Sequence, residues 1–200
     1  MYNCTIKKWD HYPMEGVNLT SAKEIYEIAL RLVKKYNTRD PEQIADYLGI
    51  KVFYSDELGD LLGLYTYMIK NRVIILNSKL SDFQKIMVLA HEIGHDRLHR
   101  QYAKTGLQEY QIFDMRSPSE YEANAFAAHF LIDTDELIGY MKDYDYDPWS
   151  LAGCFNVNVN LILIKMQELN RMGYKIRIPM DPNPQFFKNE TPDGPDEWTC

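Results

Sequence analysis

Apolar residues recur at helical spacing over 21–36, where Ile25, Ile28, Ala29, Leu32 and Val33 fall on one stripe. That pattern predicts an amphipathic helix. Asp40-Pro41 supplies an N-cap and a first-turn proline for a second helix, which runs through Ile44, Ala45 and Leu48 and stops at Gly49. The period then changes. Ile50–Tyr54 reads as a short strand. Residues 63–69 and 72–76 are rich in β-branched, aliphatic and aromatic side chains, with Lys70-Asn71 between them as a two-residue hairpin turn. The middle of the chain is therefore expected to form a small, mostly antiparallel sheet.

Ser81-Asp82-Phe83-Gln84 has the form of a capping box and opens a helix carrying Ile86, Met87, Val88, Leu89, Ala90, Ile93 and Leu98. This helix is apolar nearly all round, so it should be buried. Its two histidines and one glutamate then require a reason to be inside. After a loop at 101–116, Ser117-Pro118-Ser119-Glu120 reads as a second capping box, opening a helix through Ala123, Phe126, Ala127, Phe130 and Leu131. A helical pair follows over 134–170, broken near Asp147-Pro148. Four segments result: a leader at 1–20, a core at 21–135, a helical subdomain at 136–178 and a proline-rich, acidic tail at 179–200 expected to be flexible.

Composition narrows the class. With 200 residues, 46% of them hydrophobic, the chain can bury one ordinary core. Its net charge of -7 argues against broad attraction to nucleic acid or anionic membrane. Cys4, Cys154 and Cys200 are odd in number and far apart, which suggests neither a disulfide framework nor a zinc ribbon. No signal peptide is read at the N-terminus and no apolar run reaches bilayer length, so a cytoplasmic location is expected.

His91-Glu92-Ile93-Gly94-His95 gives the buried polar residues their reason. Four residues apart on a helix, the two histidines lie about 40° apart around the axis and about 6 Å along it, so both can grip one ion. Glu92 sits on the flank of that face. The His-Glu-x-x-His pattern is the zinc-peptidase signature: neutral imidazoles suit zinc, and a carboxylate beside the open position can take a proton from water and hand it to the leaving amine. Manganese or iron would also suit a His/His/carboxylate set. Gly94 costs about 1 kcal/mol in a helix, which a close approach by a second element would justify.

A third ligand is needed. His99 lies about 12 Å along the axis from His91 and on another face, so it reads as a polar residue near the helix end. Glu120 and Glu122, opening the next helix, are the candidates, and helical phase alone does not choose between them. Glu120 already has a role as the capping-box partner; Glu122 has none. His129 reads as surface or cleft wall.

These residues resemble a known family. Val88–His95 with Leu98-His99, and Glu120-Tyr121-Glu122-Ala123-Asn124-Ala125-Phe126-Ala127-Ala128, are similar to the two motifs of the ImmA/IrrE metallopeptidases, and Ile74–Asn77 fits the same pattern. The resemblance covers about 21–135. It implies an α+β, zincin-like core with His91, His95 and Glu122 as ligands to one zinc ion. Glu92 is implied as general base, Glu120 as the alternative ligand and Asn124 as a residue that supports the ligands. It also implies a protein substrate: a helix-turn-helix repressor of a mobile element or stress regulon. Asp133 departs from the family, which often has proline there.

Arg72–Leu76 is a candidate edge strand over the zinc helix, on which substrate could add as a further strand; an interior strand is the competing reading. Leu151–Val157 and Leu161–Leu169 have helix-turn-helix spacing, with Lys165, Arg171, Lys175 and Arg177 nearby. Packing against the core or holding a protein substrate is the preferred reading, and direct nucleic-acid binding is not expected. Two alternatives to the endopeptidase stand: a non-catalytic protein-binding module on the same fold, and a DNA-binding regulator.

Overall fold

The computed structural model describes residues 20–101, 117–143 and 146–183. The leader (apart from Thr20), nearly all of the 101–116 loop and most of the tail lie outside the described residues. Seven helices and three strands are present among them: α1 (Ala22–Tyr36), α2 (Pro41–Tyr47), β1 (Lys51–Ser55), β2 (Gly63–Met68), β3 (Asn71–Asn77), α3 (Asp82–Leu98), α4 (Pro118–Leu131), α5 (Thr134–Asp143), α6 (Pro148–Phe155) and α7 (Val159–Arg171). The class is α+β, as expected.

Local chemistry explains the boundaries. Ser21 and Glu24 form a reciprocal capping box on α1, and Ser81 and Gln84 form the expected one on α3. Asp40 accepts from the backbone of Glu42 and Gln43 to start α2. The second expected capping box does not form: α4 begins at Ser117 with no side-chain cap, and the Glu120 carboxylate is turned elsewhere.

The sheet is mixed rather than mostly antiparallel. Its order is β1-β3-β2, with β1 parallel to β3 and β2 antiparallel to it. The candidate edge strand at 72–76 is therefore the central strand, and β2 takes the outer place. The hairpin turn is Ile69-Lys70, one residue earlier than expected, with both residues at positive φ. This two-residue turn makes Met68 and Asn71 a hydrogen-bonded pair. Thr66/Val73 and Leu64/Ile75 follow in the same phase, leaving the amides and carbonyls of Gly63, Tyr65 and Tyr67 on the outer edge.

One hydrophobic cluster runs from Ile25 in α1 to Leu169 in α7. α3 and α4 are its centre and pack so closely that a Cβ on Gly94 would lie 3.1 Å from Ala123 Cα. α7 is buried on most sides, through Leu161, Ile162, Leu163, Ile164, Lys165, Met166, Glu168 and Leu169. A helix buried in this way has no broad face to lay in a DNA groove. Two of the four basic residues in this region are occupied: Lys165 is buried and Arg171 pairs with Glu168 at 2.8 Å. No helix among the described residues is long and apolar enough to cross a membrane.

Candidate metal centre

His91 and His95 project from one face of α3, and Glu120 reaches them from the first turn of α4. The two Nε2 atoms are 3.0 Å apart; Glu120 Oε2 lies 3.2 Å from His91 Nε2 and Oε1 lies 3.3 Å from His95 Nε2. A tetrahedral zinc with bonds of about 2.0–2.1 Å holds its ligand atoms about 3.3 Å apart. The two imidazole nitrogens and the Glu120 carboxylate thus lie close to the spacing of three such ligands. His91 and Glu120 are buried, while His95 is partly open.

The surrounding hydrogen bonds fix the tautomers. His91 Nδ1 is 2.9 Å from Asn124 Oδ1, which can only accept, so the hydrogen is on Nδ1 and the lone pair on Nε2. His95 Nδ1 is 3.1 Å from His99 Nδ1, and His99 Nε2 is 2.8 Å from Glu122 Oε2. Glu122 accepts from His99; His99 then accepts from His95, which leaves the Nε2 lone pair of His95 facing the centre. Both imidazoles therefore present acceptors to a carboxylate that is also an acceptor, an arrangement that a cation completes.

The structure thus divides the two glutamates in the opposite sense to the sequence expectation. Glu120, the alternative, joins the histidines. Glu122 lies behind them, accepting from His99 and from the amide and hydroxyl of Thr20 at 2.6 and 3.2 Å. The reason is helical phase. Glu120 and Asn124 are four residues apart and share a face, whereas Glu122 is turned about 160° from Glu120. Asn124 contacts His91 on the side away from the centre, and His99 contacts the candidate ligand His95 through Nδ1. His129 is not a cleft wall: it is buried against Lys165 Nζ at 3.0 Å.

Glu92 points from α3 toward β2. The Tyr65 amide donates to its carboxylate, and burial pushes its pKa up to about 7. Gly63 makes this approach of strand and helix feasible. A Cβ there would lie 2.7 Å from Val88 Cγ1 and 2.9 Å from Glu92 Oε1. Sequence reasoning missed Gly63, Thr20 and Asp96. Asp96 is wholly buried one turn beyond Glu92 and receives the Tyr65 hydroxyl at 2.8 Å. The pattern did hold a signal for Asp96, a carboxylate at i+4 from Glu92 in an otherwise apolar helix.

The class this arrangement defines is an α+β domain whose helix-borne His-Glu-x-x-His set meets a carboxylate from the following helix, the plan of a metallopeptidase. Residues 45–167 match the IrrE N-terminal-like domain, Peptidase_M78, and the chain belongs to that family. It is also similar to an uncharacterized immunity region protein 2 of Bacillus phage phi105, 32% identical over 135 residues, which cover 68% of this chain and 84% of that protein. Membership supports a metallopeptidase-like role at the level of the family.

Proposed function

We propose that this chain is a zinc-dependent endopeptidase, with His91, His95 and Glu120 as ligands and Glu92 as general base, and that it acts on a helix-turn-helix repressor of a mobile element. The observation that carries the catalytic part is the convergence of the two Nε2 atoms, 3.0 Å apart, with the Glu120 carboxylate, one oxygen of which lies 3.2 Å from one imidazole and the other 3.3 Å from the second, beside a buried carboxyl. The phage immunity-region relative supports a setting in which a repressor is the substrate.

A zinc ion held there supplies Lewis acidity, polarising a substrate carbonyl and acidifying water. Glu92 does the proton work. Its buried carboxylate takes a proton from the attacking water and passes it to the leaving amine nitrogen. The Tyr65 amide keeps the carboxylate aimed. Substrate adds to the outer edge of β2, where the Gly63 and Tyr67 backbones and the Tyr65 carbonyl offer hydrogen bonds beside Glu92.

The test is zinc content together with cleavage of the repressor encoded beside this chain, for wild type and Glu92→Gln. The variant should keep zinc and lose about 10²–10⁴ of the cleavage rate. Cleavage at the wild-type rate would end the proposed role of Glu92.

A further inference from the structure

Beyond Glu92 along the same face of α3, the wholly buried Asp96 carboxylate is met by three guanidinium groups. Arg72 Nη1 from β3 lies 3.0 Å from Oδ2, Arg100 Nη2 lies 3.1 Å from it and Arg97 Nε 3.4 Å. The Tyr65 hydroxyl donates to Oδ1. Arg72 also donates to the Leu48 carbonyl, and Arg100 Nε to the Asp96 carbonyl. One carboxylate thus stands against three cations. Among the described residues Asp96 is the one carboxylate in ion-pair contact with this trio, which leaves an excess of two positive charges in a chain whose net charge is -7. All three side chains keep some exposure, Arg100 the most at 36%.

The cluster is physically joined to the candidate active site. Tyr65 donates its amide to Glu92 and its hydroxyl to Asp96, and Arg72 stands opposite Tyr67 across the hairpin. Asp96 lies one helical turn, about 6 Å, from Glu92. A strand advances about 3.3 Å per residue. A peptide lying on the β2 edge therefore brings a side chain to the arginines two or three residues from the bond facing Glu92.

We infer that Arg72, Arg97 and Arg100 form an anion subsite that takes an Asp or Glu side chain of the protein substrate, two or three residues to one side of the scissile bond. The substrate part of this inference rests on the β2-edge reading above; the anion site itself does not. A guanidinium trio already held by Asp96 and Tyr65 is preorganised, so little side-chain ordering is left for binding.

Two measurements test it. In the first, N-acetyl-glutamate N-methylamide and its glutamine counterpart are titrated at constant ionic strength into ¹⁵N-labelled full-length protein while the arginine Nε–Hε signals are followed. The glutamate compound should give saturable shifts at Arg97 and Arg100, with none at Arg171, and the glutamine compound should give none. Equal shifts for both compounds, or none for either, overturn the anion site. This readout needs neither zinc nor catalysis, so it survives failure of the peptidase reading. In the second, fluorescent eight-residue peptides carrying Glu or Gln at each position in turn are bound to the Glu92→Gln protein. One position, on one side only, should prefer Glu by about fivefold, and Arg97→Gln with Arg100→Gln should abolish that preference while leaving the Gln peptide unaffected. Saturable shifts without any positional preference would overturn the assignment to substrate.

Discussion

The division of labour between Glu120 and Glu122 can be tested by the same small change at each. Glu120→Gln removes the charge of a carboxylate whose two oxygens lie 3.2 and 3.3 Å from the two imidazole nitrogens. Metal binding worth about 10–16 kcal/mol over four ligands amounts to roughly 2.5–4 kcal/mol for each. Loss of one should weaken zinc binding by about seventyfold to nearly a thousandfold. Glu122→Gln leaves the three candidate ligand atoms in place. What it disturbs is the His99–His95 chain, because a neutral amide holds the His99 proton less well than the carboxylate 2.8 Å away. Changes at such outer partners cost about 10–100-fold in metal affinity. The assay is competition for zinc against a chromophoric chelator at pH 7.5, with circular dichroism to establish that both variants are folded. A larger loss for Glu122→Gln than for Glu120→Gln would refute the assignment of Glu120 as ligand.

Two further outcomes follow from the packing. Gly94→Ala gains about 1 kcal/mol of helix propensity but presses a methyl group onto Ala123 and onto Phe126 Cδ1 at 3.2 Å, an overpacking cost of about 1–3 kcal/mol. The midpoint of thermal unfolding should fall, by up to several degrees, and a rise would show that α3 and α4 are not in close contact. Lys165 has its pKa lowered to about 7, by burial first and then by Arg39, so between about pH 7 and 10.5 the unfolded chain binds a proton that the folded one lacks. Stability therefore rises with pH across that window by about 1.4 kcal/mol per unit from this group. Lys165→Met should remove that slope, and its advantage over wild type in urea unfolding should be largest at pH 7 and shrink toward pH 10. A constant difference between pH 7 and 10 would refute the buried, neutral lysine.

Elements with local signals were legible in the sequence: the caps at Asp40 and Ser81, the apolar stripe of α1 and the buried α3. The sheet order was not. Hairpin signals report β2 with β3, but the parallel pairing of β1 with β3 depends on contacts distant in sequence. The turn signal falls on Lys70-Asn71, yet the chain bends at Ile69 and Lys70 with φ of 46° and 63°, although that conformation costs an isoleucine about 1–2 kcal/mol. Pairing across the hairpin overrides that local preference.

His91, Glu92 and His95 could be read because one helix carries all three and a five-residue spacing fixes their relation. The third ligand comes from another helix, and there two readings of Glu120 compete. Ser117-Pro118-Ser119-Glu120 has the residue types of a capping box, which would account for that carboxylate; in the structure it reaches the two imidazoles instead. The gain from one cap hydrogen bond is only about 1 kcal/mol, less than the roughly 2.5–4 kcal/mol attached to one metal ligand. Where a carboxylate can serve either purpose, the stronger interaction should decide the assignment. Asn124 points the same way, since a residue that holds His91 from behind shares its helix face with position 120 and lies nearly opposite position 122. The oxygens of Glu122, turned away from the centre, then account for Thr20 and His99, two residues with no evident task in the sequence.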